Sequence, residues 1–394
     1  MTSEIILKIN QHPCKIVLAI TGGGSEAIGE LLRHGSGSST LLEAIVPYSS
    51  VSLDRFIGKT PEKYASQGTA RSMAMAAYRR ALELLQENDS IDRTDVMGVS
   101  MTCKLAKGVD EREGREHEIY VAIQSYYKTS VSSLRLLQGR SREEEERIAS
   151  CMLIETLARE CGLEEGHSLI DDVLGQRETV ESEEATVGED VARILAQPDR
   201  IMKDLEHTSD LVEIDIGNRK IKDRPEIIFS GSFNPCHRNH IAMAEQAFRR
   251  YGKPVHFEIS LTNVDKPPID FISLRQRLES LKMYSDREFM GNVYLTAAPL
   301  FLQKANLFES ATFIVGADTA NRLFEVRYYR SEEDMKALFE HFREKNIRFL
   351  VFRRKGVEPE IETEVCNLCE VVPLEDYRDN GISSTAIRKE KNIE

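Results

Sequence analysis

Apolar and polar positions alternate along the chain in a way that predicts two blocks of mixed strands and helices. The first block runs from about residue 13 to 163. Short apolar runs predict its strands, and apolar residues at helical spacing predict its helices. The predicted strands are 15–20, 42–46, 95–101 and 118–124, and the predicted helices are 27–33, 70–86 and 142–160. This order indicates an α/β layer fold.

The second block covers residues 225–394 and alternates more regularly. Its predicted strands are 226–230, 255–261, 292–296, 311–315 and 347–352, and its predicted helices are 239–251 and 273–284. A βαβα order predicts a Rossmann-like, doubly wound parallel sheet, which binds ligands beyond the carboxyl ends of its strands. The fold class expected for the whole chain is therefore two α/β domains.

Residues 164–224 separate the two blocks and differ in composition. They are rich in acidic residues, as in 178–184, and carry a short helical pattern near 191–195. A run of charge usually marks a solvated linker. Residues 211–216 alternate like a strand that could pack on a neighbouring sheet. The predicted organisation is a domain at 1–163, an acidic, partly helical linker at 164–224, and a second domain at 225–394.

Composition narrows the class of protein. The formal net charge of −13 argues against a broad nucleic-acid-binding face. No apolar run approaches the roughly 20 residues that cross a bilayer, and the first residues lack the features of a signal peptide. Seven scattered cysteines indicate a reducing compartment, which predicts a cytoplasmic protein. Cys366 and Cys369 form a single CxxC pair, for which two ordinary thiols are favoured over zinc, so no metal site is expected.

The stretch from Gly231 to His240 holds the strongest chemical signal. It follows an apolar strand and precedes a predicted helix, and it carries His237 and His240 three residues apart. A histidine pair alone is a poor metal site, because no third ligand is evident nearby. The free N–H groups at a helix start attract anions, and imidazoles add donors that can be charged near neutral pH. This arrangement predicts a site for a polyphosphate.

The same stretch resembles the signature G-x-F-[ND]-P-x-H-x-G-H of the nucleotidylyltransferase superfamily. Four further segments follow in family order, at 257–260, 265–268, 313–319 and 382–388. Together they look like the nicotinamide or nicotinate mononucleotide adenylyltransferase branch. The resemblance covers essentially all of residues 225–390.

This resemblance implies a reaction and a set of site residues. A mononucleotide phosphate attacks the α-phosphorus of ATP, which forms a dinucleotide and pyrophosphate, as in NAD biosynthesis. Mg²⁺ would accompany ATP, and the partners would be ATP and a pyridine mononucleotide, with no nucleic acid or membrane. His237 and His240 would be catalytic. The phosphate-binding residues would be Gly231, Ser232, Phe233, Lys266, Ser383, Ser384, Thr385 and Arg388, and Gly316 and Asp318 would line the nucleotide pocket.

Several interpretations remain open at this stage. Ser383, Ser384 and Thr385 are also a plausible helix N-cap cluster, Asp318 could be a cap, and Lys266 could be an exposed loop residue. Asn239 stands where the family has glycine, so it either caps the helix or crowds the nucleotide and weakens activity. The alternative functions are cytidylyl transfer to a phosphorylated alcohol, and nucleotide binding by an impaired pseudoenzyme or scaffold.

The front of the first block carries a second resemblance. Thr21-Gly22-Gly23, Gly37-Ser38-Ser39, Val46-Pro47-Tyr48-Ser49 and Ile57-Gly58 look like the CinA C-terminal domain, the nicotinamide mononucleotide amidases. The family's catalytic serine and lysine are replaced here by Ala19 and Leu53, so an active amidase is the least favoured function. Thr21, Gly22, Gly23 and Tyr48 remain as a candidate ligand loop, although the glycines could simply form a tight junction. The resemblance to this family also implies self-association, as a homo-oligomer formed through this domain.

Overall fold

The computed structural model divides the chain into two compact units. Among the described residues, the first unit comprises 2–196 and 268–272, and the second comprises 211–262 and 273–391. The structure describes residues 2–85, 91–107, 113–163, 168–196, 211–218, 220–262, 268–323, 331–361 and 366–391.

The first unit contains a mixed six-stranded sheet in the order β2-β1-β3-β4-β5-β6. The neighbours β2-β1-β3 run parallel, and β3 to β6 continue as an antiparallel meander. The strands are β1 (Lys15–Thr21), β2 (Leu41–Ile45), β3 (Val96–Lys104), β4 (His117–Gln124), β5 (Lys128–Leu136) and β6 (Val180–Thr186). Because β1 and β2 are parallel, their carboxyl ends lie at the same edge of the sheet.

Helices of the first unit cover this sheet. They are α1 (Thr2–Gln11), α2 (Glu26–Arg33), α3 (Ser50–Ile57), α4 (Gln67–Leu84), α5 (Arg142–Glu160) and α6 (Glu189–Leu195). Apolar residues of α1, α2 and α5 form one core with β1, β3, β4 and β5. Helix α4 approaches β3 at Gly98, where an added Cβ would lie 2.1 Å from the Ala74 carbonyl oxygen. Only glycine permits this backbone contact.

The second unit contains a seven-stranded sheet in the order β13-β12-β11-β8-β9-β10-β7. Its strands are β7 (Leu211–Ile214), β8 (Ile227–Ser230), β9 (Val255–Ser260), β10 (Met290–Thr296), β11 (Thr312–Gly316), β12 (Arg348–Phe352) and β13 (Cys369–Val371). All are parallel except β7, which pairs antiparallel with β10. The chain order reverses between the adjacent strands β8 and β11, so the carboxyl ends of these two strands form the switch point at which such folds bind ligands.

The helices of the second unit follow the strands. They are α7 (Arg238–Tyr251), α8 (Phe271–Lys282), α9 (Phe301–Leu307), α10 (Ala317–Leu323), α11 (Glu332–Glu344) and α12 (Ser384–Lys391). The first two residues of α8 belong to the first unit. Buried apolar residues of α9, α10 and α11 pack with β11 and β12 around Phe313, Phe342 and Phe349. The prediction of an α/β chain with a Rossmann-like C-terminal domain is confirmed.

The segment predicted as an acidic linker differs from that expectation, because it contributes strands to both sheets. Strand β6 pairs antiparallel with β5, and β7 pairs antiparallel with β10. Both lie at sheet edges, where one neighbour is missing and acidic side chains can stay hydrated. In β6, Glu181 and Glu184 are exposed while Ala185 is buried. The acidic composition therefore reflects edge strands with a solvated face. It hid the alternation of β6, whereas β7 lies within the alternating stretch predicted at 211–216.

Candidate active site at the carboxyl edge of the second sheet

The turn between β8 and α7 is built around a buried phenylalanine. Phe233 has a positive φ of 41° and is fully buried. Its ring packs edge-on against Phe229 and Phe257, with centroid distances of 5.2 and 5.3 Å. An added Cβ on Gly231 would lie 2.8 Å from this ring. Gly231 and Phe233 therefore shape the turn together, and Ser232 between them is exposed.

His237 and His240 lie side by side at the start of α7. Their rings stack with a centroid distance of 3.8 Å and an interplanar angle of 24°. The His237 backbone N–H donates to Nδ1 of His240 at 3.2 Å. This hydrogen bond leaves the ring proton of a neutral His240 on Nε2. The Nδ1 atom of His237 is buried and has no hydrogen-bond partner among the described residues.

Both imidazoles favour the neutral form. Burial lowers the pKa of His240 to about 3, and the charges of His237 and Arg354 act in the same direction. Burial also lowers the pKa of His237, with Arg354 adding to the effect and Asp379 opposing it. At neutral pH each ring of the free protein thus offers a single N–H donor. This differs from the sequence-based expectation of imidazoles charged near neutral pH, because the sequence did not reveal their burial.

The neighbouring strand ends supply a basic group. Gly316 ends β11, and Asp318 lies in the first turn of α10. The Asp318 carboxylate forms an ion pair of 3.1 Å with Arg354, which follows the end of β12. The charge of Arg354 also acts on both histidines. Arg354 therefore pairs with Asp318 beyond the end of β11 and also acts electrostatically on the histidine pair at the start of α7.

The helix α12 docks onto the β8–α7 turn. Nη1 of Arg388 donates to the Asn234 carbonyl oxygen at 2.7 Å, and Oγ of Ser384 donates to the Pro235 carbonyl oxygen at 3.1 Å. Ser383 accepts from the Ala386 N–H at 3.2 Å, so the N-cap interpretation describes this residue. Thr385 is exposed and accepts from Arg388 at 3.4 Å. Residues from opposite ends of the domain thus form one cluster.

Asn239 has a structural role that the sequence did not reveal. The N-cap of α7 is His237, so the prediction that Asn239 caps the helix is wrong. Asn239 is buried, and its side-chain N–H group donates to the Asp379 carboxylate and to the Ile382 carbonyl oxygen at 3.1 Å. Asp379 also accepts from the backbone of Lys355 at 3.0 Å. Asn239 therefore ties α7 to the segment that leads into α12.

A buried ion pair lies behind the ends of β8, β9 and β10. The Glu258 carboxylate is fully buried and accepts two hydrogen bonds from Nζ of Lys304, at 2.6 and 2.8 Å. It also accepts from Ser230 and Thr296, each at 2.5 Å. Each oxygen of Glu258 thus has two donors, as a buried carboxylate requires. The network fixes Ser230, the last residue before the turn.

The structure groups most of the predicted site residues and adds two. The cluster at the carboxyl edge of the second sheet contains Gly231, Phe233, His237, His240, Gly316, Asp318, Ser384 and Arg388. Lys266 lies outside the described residues. Sequence reasoning missed Arg354 and Asp379. Their signals are a basic run directly after a predicted strand, Arg353-Arg354-Lys355, and a turn-forming Asp-Asn-Gly before the last motif.

The candidate ligand loop of the first unit lies between β1 and α2, and a carboxylate of the chain contacts its end. Thr21, Gly22 and Gly23 follow at the end of β1, and Gly22 has a φ of +79°. The Glu146 carboxylate accepts from the backbone N–H and the hydroxyl of Ser25, at 2.6 and 2.8 Å, just before α2. The Glu146 carboxylate therefore already accepts the hydrogen bond from the Ser25 backbone N–H that a bound anion would accept at this helix start. Tyr48 is 70% exposed.

A parallel sheet with a switch point, and with two imidazoles at a helix start there, is the arrangement of a Rossmann-like domain whose ligands bind at that edge. Residues 228–390 match the family model described as "Cytidylyltransferase-like". The C-terminal half of the chain therefore carries a domain of the nucleotidyltransferase superfamily. No curated protein matches the chain.

Several solved structures resemble part of the chain. A competence-damaged protein (CinA) superfamily protein from Enterobacter cloacae is 17% identical, with a TM-score of 0.32, over 41% of this chain and 92% of its own. The competence/damage inducible protein CihA from Agrobacterium tumefaciens is 16% identical, with a TM-score of 0.30, over 41% and 94%. Similarity at this level establishes neither the fold nor the activity of the first unit. Among the described helices, none has both the length and the apolar character to cross a membrane.

Proposed function

We propose that the second unit transfers the adenylyl group of ATP to a nicotinamide or nicotinate mononucleotide. In this reaction a phosphate oxygen of the mononucleotide forms a bond to the α-phosphorus of ATP. The bond from that phosphorus to the bridging oxygen breaks, and pyrophosphate leaves with the electron pair. The phosphate nucleophile is already ionised at neutral pH, so the chain need only align the reactants and stabilise negative charge.

The observation that carries this proposal is the pairing of His237 and His240 beside the docked helix α12. The N–H groups at the start of α7 favour an anion, and the two neutral imidazoles add directed donors. The unpartnered Nδ1 of His237 is a buried polar atom that a ligand would satisfy. Arg354 supplies positive charge next to the rings. This set of groups suits a triphosphate whose α-phosphorus gains charge during transfer.

The C-terminal elements would complete the phosphate site. Arg388 and Ser384 already hold the turn through its carbonyl oxygens. We propose that the same helix start orients the distal phosphates, and that Gly316 and Asp318 border the nucleoside pocket. Lys266 is proposed to bind a phosphate on the basis of its motif alone. Mg²⁺ would enter with ATP, because no three potential ligands cluster at this site among the described residues.

A second candidate is cytidylyl transfer from CTP to a phosphorylated alcohol. The description of the matching family favours it. Both reactions release pyrophosphate and would use the same phosphate contacts, so they differ only in the base and the acceptor. The Asp-Lys-Pro-Pro and Gly-Ala-Asp segments, which resemble the pyridine mononucleotide branch, favour the adenylyl reaction.

Pyrophosphate release tests the proposal directly. The full chain is incubated with Mg²⁺ and either ATP or CTP, each with nicotinamide mononucleotide, nicotinate mononucleotide or a phosphorylated alcohol. We expect a dinucleotide only from ATP with a pyridine mononucleotide, and a kcat about 10²- to 10³-fold lower in His237→Ala. The matched control is His341→Ala, which removes a histidine that contacts Asn306 on α9. Turnover with CTP alone supports the second candidate, and binding without turnover in any mixture indicates a pseudoenzyme.

For the first unit we propose an amidase-like domain without amidase activity. The proposal rests on its sequence motifs and on the two replaced residues. Ala19 is fully buried in β1, and Leu53 is 2% exposed in α3. Neither side chain can act as a nucleophile or accept its proton. Ammonia release from nicotinamide mononucleotide by the full chain would contradict this proposal.

A further inference from the structure

A histidine and two cysteines meet in the first unit, far from each other in sequence. His12 and Cys14 lie between α1 and β1, and Cys161 directly follows α5. One potential ligand atom from each of the three residues lies within 4.8 Å of the others. The two sulfur atoms are 3.7 Å apart. Both cysteines are buried, whereas His12 is partly exposed.

We propose that His12, Cys14 and Cys161 bind a zinc ion or a similar divalent metal ion of borderline softness. Zn–S bonds of about 2.3 Å at a tetrahedral angle place two sulfur atoms about 3.8 Å apart. The observed separation therefore matches two corners of such a site. It is far longer than the about 2.05 Å of a disulfide bond. Two thiolates and a neutral imidazole are a donor set that zinc prefers.

The Nδ1 atom of His12 is available as a metal ligand. The Cys14 backbone N–H donates to Nδ1 of His12 at 3.2 Å, so this nitrogen carries a lone pair. A metal ion would take that lone pair in place of one hydrogen bond. Charge also balances, because two thiolates neutralise one divalent ion, and a neutral site tolerates burial.

The backbone on either side holds the three residues in place. The His12 N–H donates to the carbonyl oxygens of Lys8 and Ile9, both at 3.1 Å, which fixes it at the end of α1. The Cys161 N–H donates to the Leu157 carbonyl oxygen at 3.1 Å at the end of α5. A bound ion would thus link two helix ends to the start of β1 across 147 residues of chain. Because His12 is partly exposed, we expect water to supply the fourth ligand of a tetrahedral site.

Cobalt and zinc titration of the full chain tests this site. The protein is stripped of metal under reducing conditions and titrated with Co²⁺, whose bonds to thiolate give a charge-transfer absorption. We expect one equivalent of Co²⁺ to produce this absorption and Zn²⁺ to abolish it. The absorption should be lost in Cys14→Ser and Cys161→Ser and kept in the matched control Cys151→Ser, which changes a partly buried cysteine on α5 outside the cluster.

His12→Ala keeps the result decisive if a buried cysteine variant fails to fold. His12 is partly exposed, and removing a direct ligand should weaken Zn²⁺ binding by at least about 100-fold while the circular dichroism spectrum stays unchanged. Three outcomes overturn the proposal. They are no charge-transfer band in the wild-type protein, unchanged Zn²⁺ affinity in a folded His12→Ala variant, and a Cys14–Cys161 disulfide found by mass spectrometry in reduced, metal-loaded protein.

Discussion

The side-chain amide of Asn239 donates a hydrogen bond to the carboxylate of Asp379, 140 residues further along the chain. The same carboxylate accepts from the backbone of Lys355 and Gly381. Asp379 therefore connects the start of α7, the chain after β12 and the approach to α12. A glycine at position 239 would lack the donor, so the contact gives this chain its own means of holding the C-terminal segment over the site.

Removing the Asn239 amide should loosen this connection. We expect Asn239→Ala to lower the free energy of unfolding by about 1–3 kcal/mol, because Asp379 loses a buried partner. Asn239→Gly should weaken ATP binding in titration calorimetry, since α12 would be held less firmly. This is the opposite of what crowding of the nucleotide by Asn239 requires.

A double-mutant cycle distinguishes the energy of the Asn239–Asp379 hydrogen bond from a general loss of stability. Asn239→Ala, Asp379→Ala and the double variant are compared by urea unfolding. A coupling energy of about 0.5–3 kcal/mol is expected for residues in direct contact. Additive effects, or tighter ATP binding in Asn239→Gly, would mean that the hydrogen bond does not hold the segment.

The depressed pKa values of the histidine pair predict a loss of stability in acid. An unfolded histidine takes up its proton near pH 6.5, whereas folded His240 does so only near pH 3. Between these values the unfolded chain binds more protons, so stability falls as the pH decreases from about 6.5 toward 3. Each pKa unit of this difference corresponds to about 1.4 kcal/mol.

Urea unfolding from pH 7 to pH 4 measures this dependence. His240→Gln removes the titrating group and keeps an acceptor for the His237 N–H, so we expect a shallower loss of stability in acid. His256, whose pKa burial lowers to about 4, remains in both proteins and cancels in the comparison. Identical pH profiles for the two proteins would show that His240 does not contribute.

Arg354 should contribute to nucleotide binding although no motif marked it. Its guanidinium pairs with Asp318 and acts on both imidazoles. We expect Arg354→Ala to lower kcat/KM by about 10- to 100-fold, as the loss of a hydrogen bond to a charged group does. Arg353→Ala is the matched control, because Arg353 contacts the Val372 carbonyl oxygen and Glu358. Equal losses in both variants would argue against a specific role for Arg354.

The sequence predicted the elements whose apolar period is unbroken. Helix α5 was predicted with the bounds that the structure has, and β8 to β12 within two residues. The strand β5 was missed, because serines interrupt its apolar run in Lys-Thr-Ser-Val-Ser-Ser-Leu-Arg-Leu. Helix α1 was missed as well, although Ile5, Ile6 and Ile9 form a buried helical stripe.

The sequence predicted only those parts of the candidate site that belong to recognisable motifs. The histidine pair and the last motif were recognisable along the chain. Arg354, Asp379 and the Glu258–Lys304 pair depend on which strand ends become neighbours, and a single sequence does not report that order. The neutral state of His240 depends on burial beside Phe229 and Phe233, which is likewise a property of the fold.

The buried pair of Glu258 and Lys304 predicts a large and asymmetric effect of substitution. Both side chains are almost inaccessible, with 0% and 5% exposure, and they are 2.6 Å apart. Removing the lysine charge in Lys304→Met leaves Glu258 buried without its cation, which should cost about 3–5 kcal/mol. Adding Glu258→Gln removes the stranded charge, so the double variant should regain much of this loss.

Turnover measurements then show whether the pair matters beyond stability. Glu258 also accepts from Ser230, which leads directly into the turn that positions His237. We therefore expect the double variant to be more stable than Lys304→Met and still to turn over more slowly than the wild type, through a lower kcat at similar KM. Full turnover in a stable double variant would mean that the pair serves folding alone and does not position the turn.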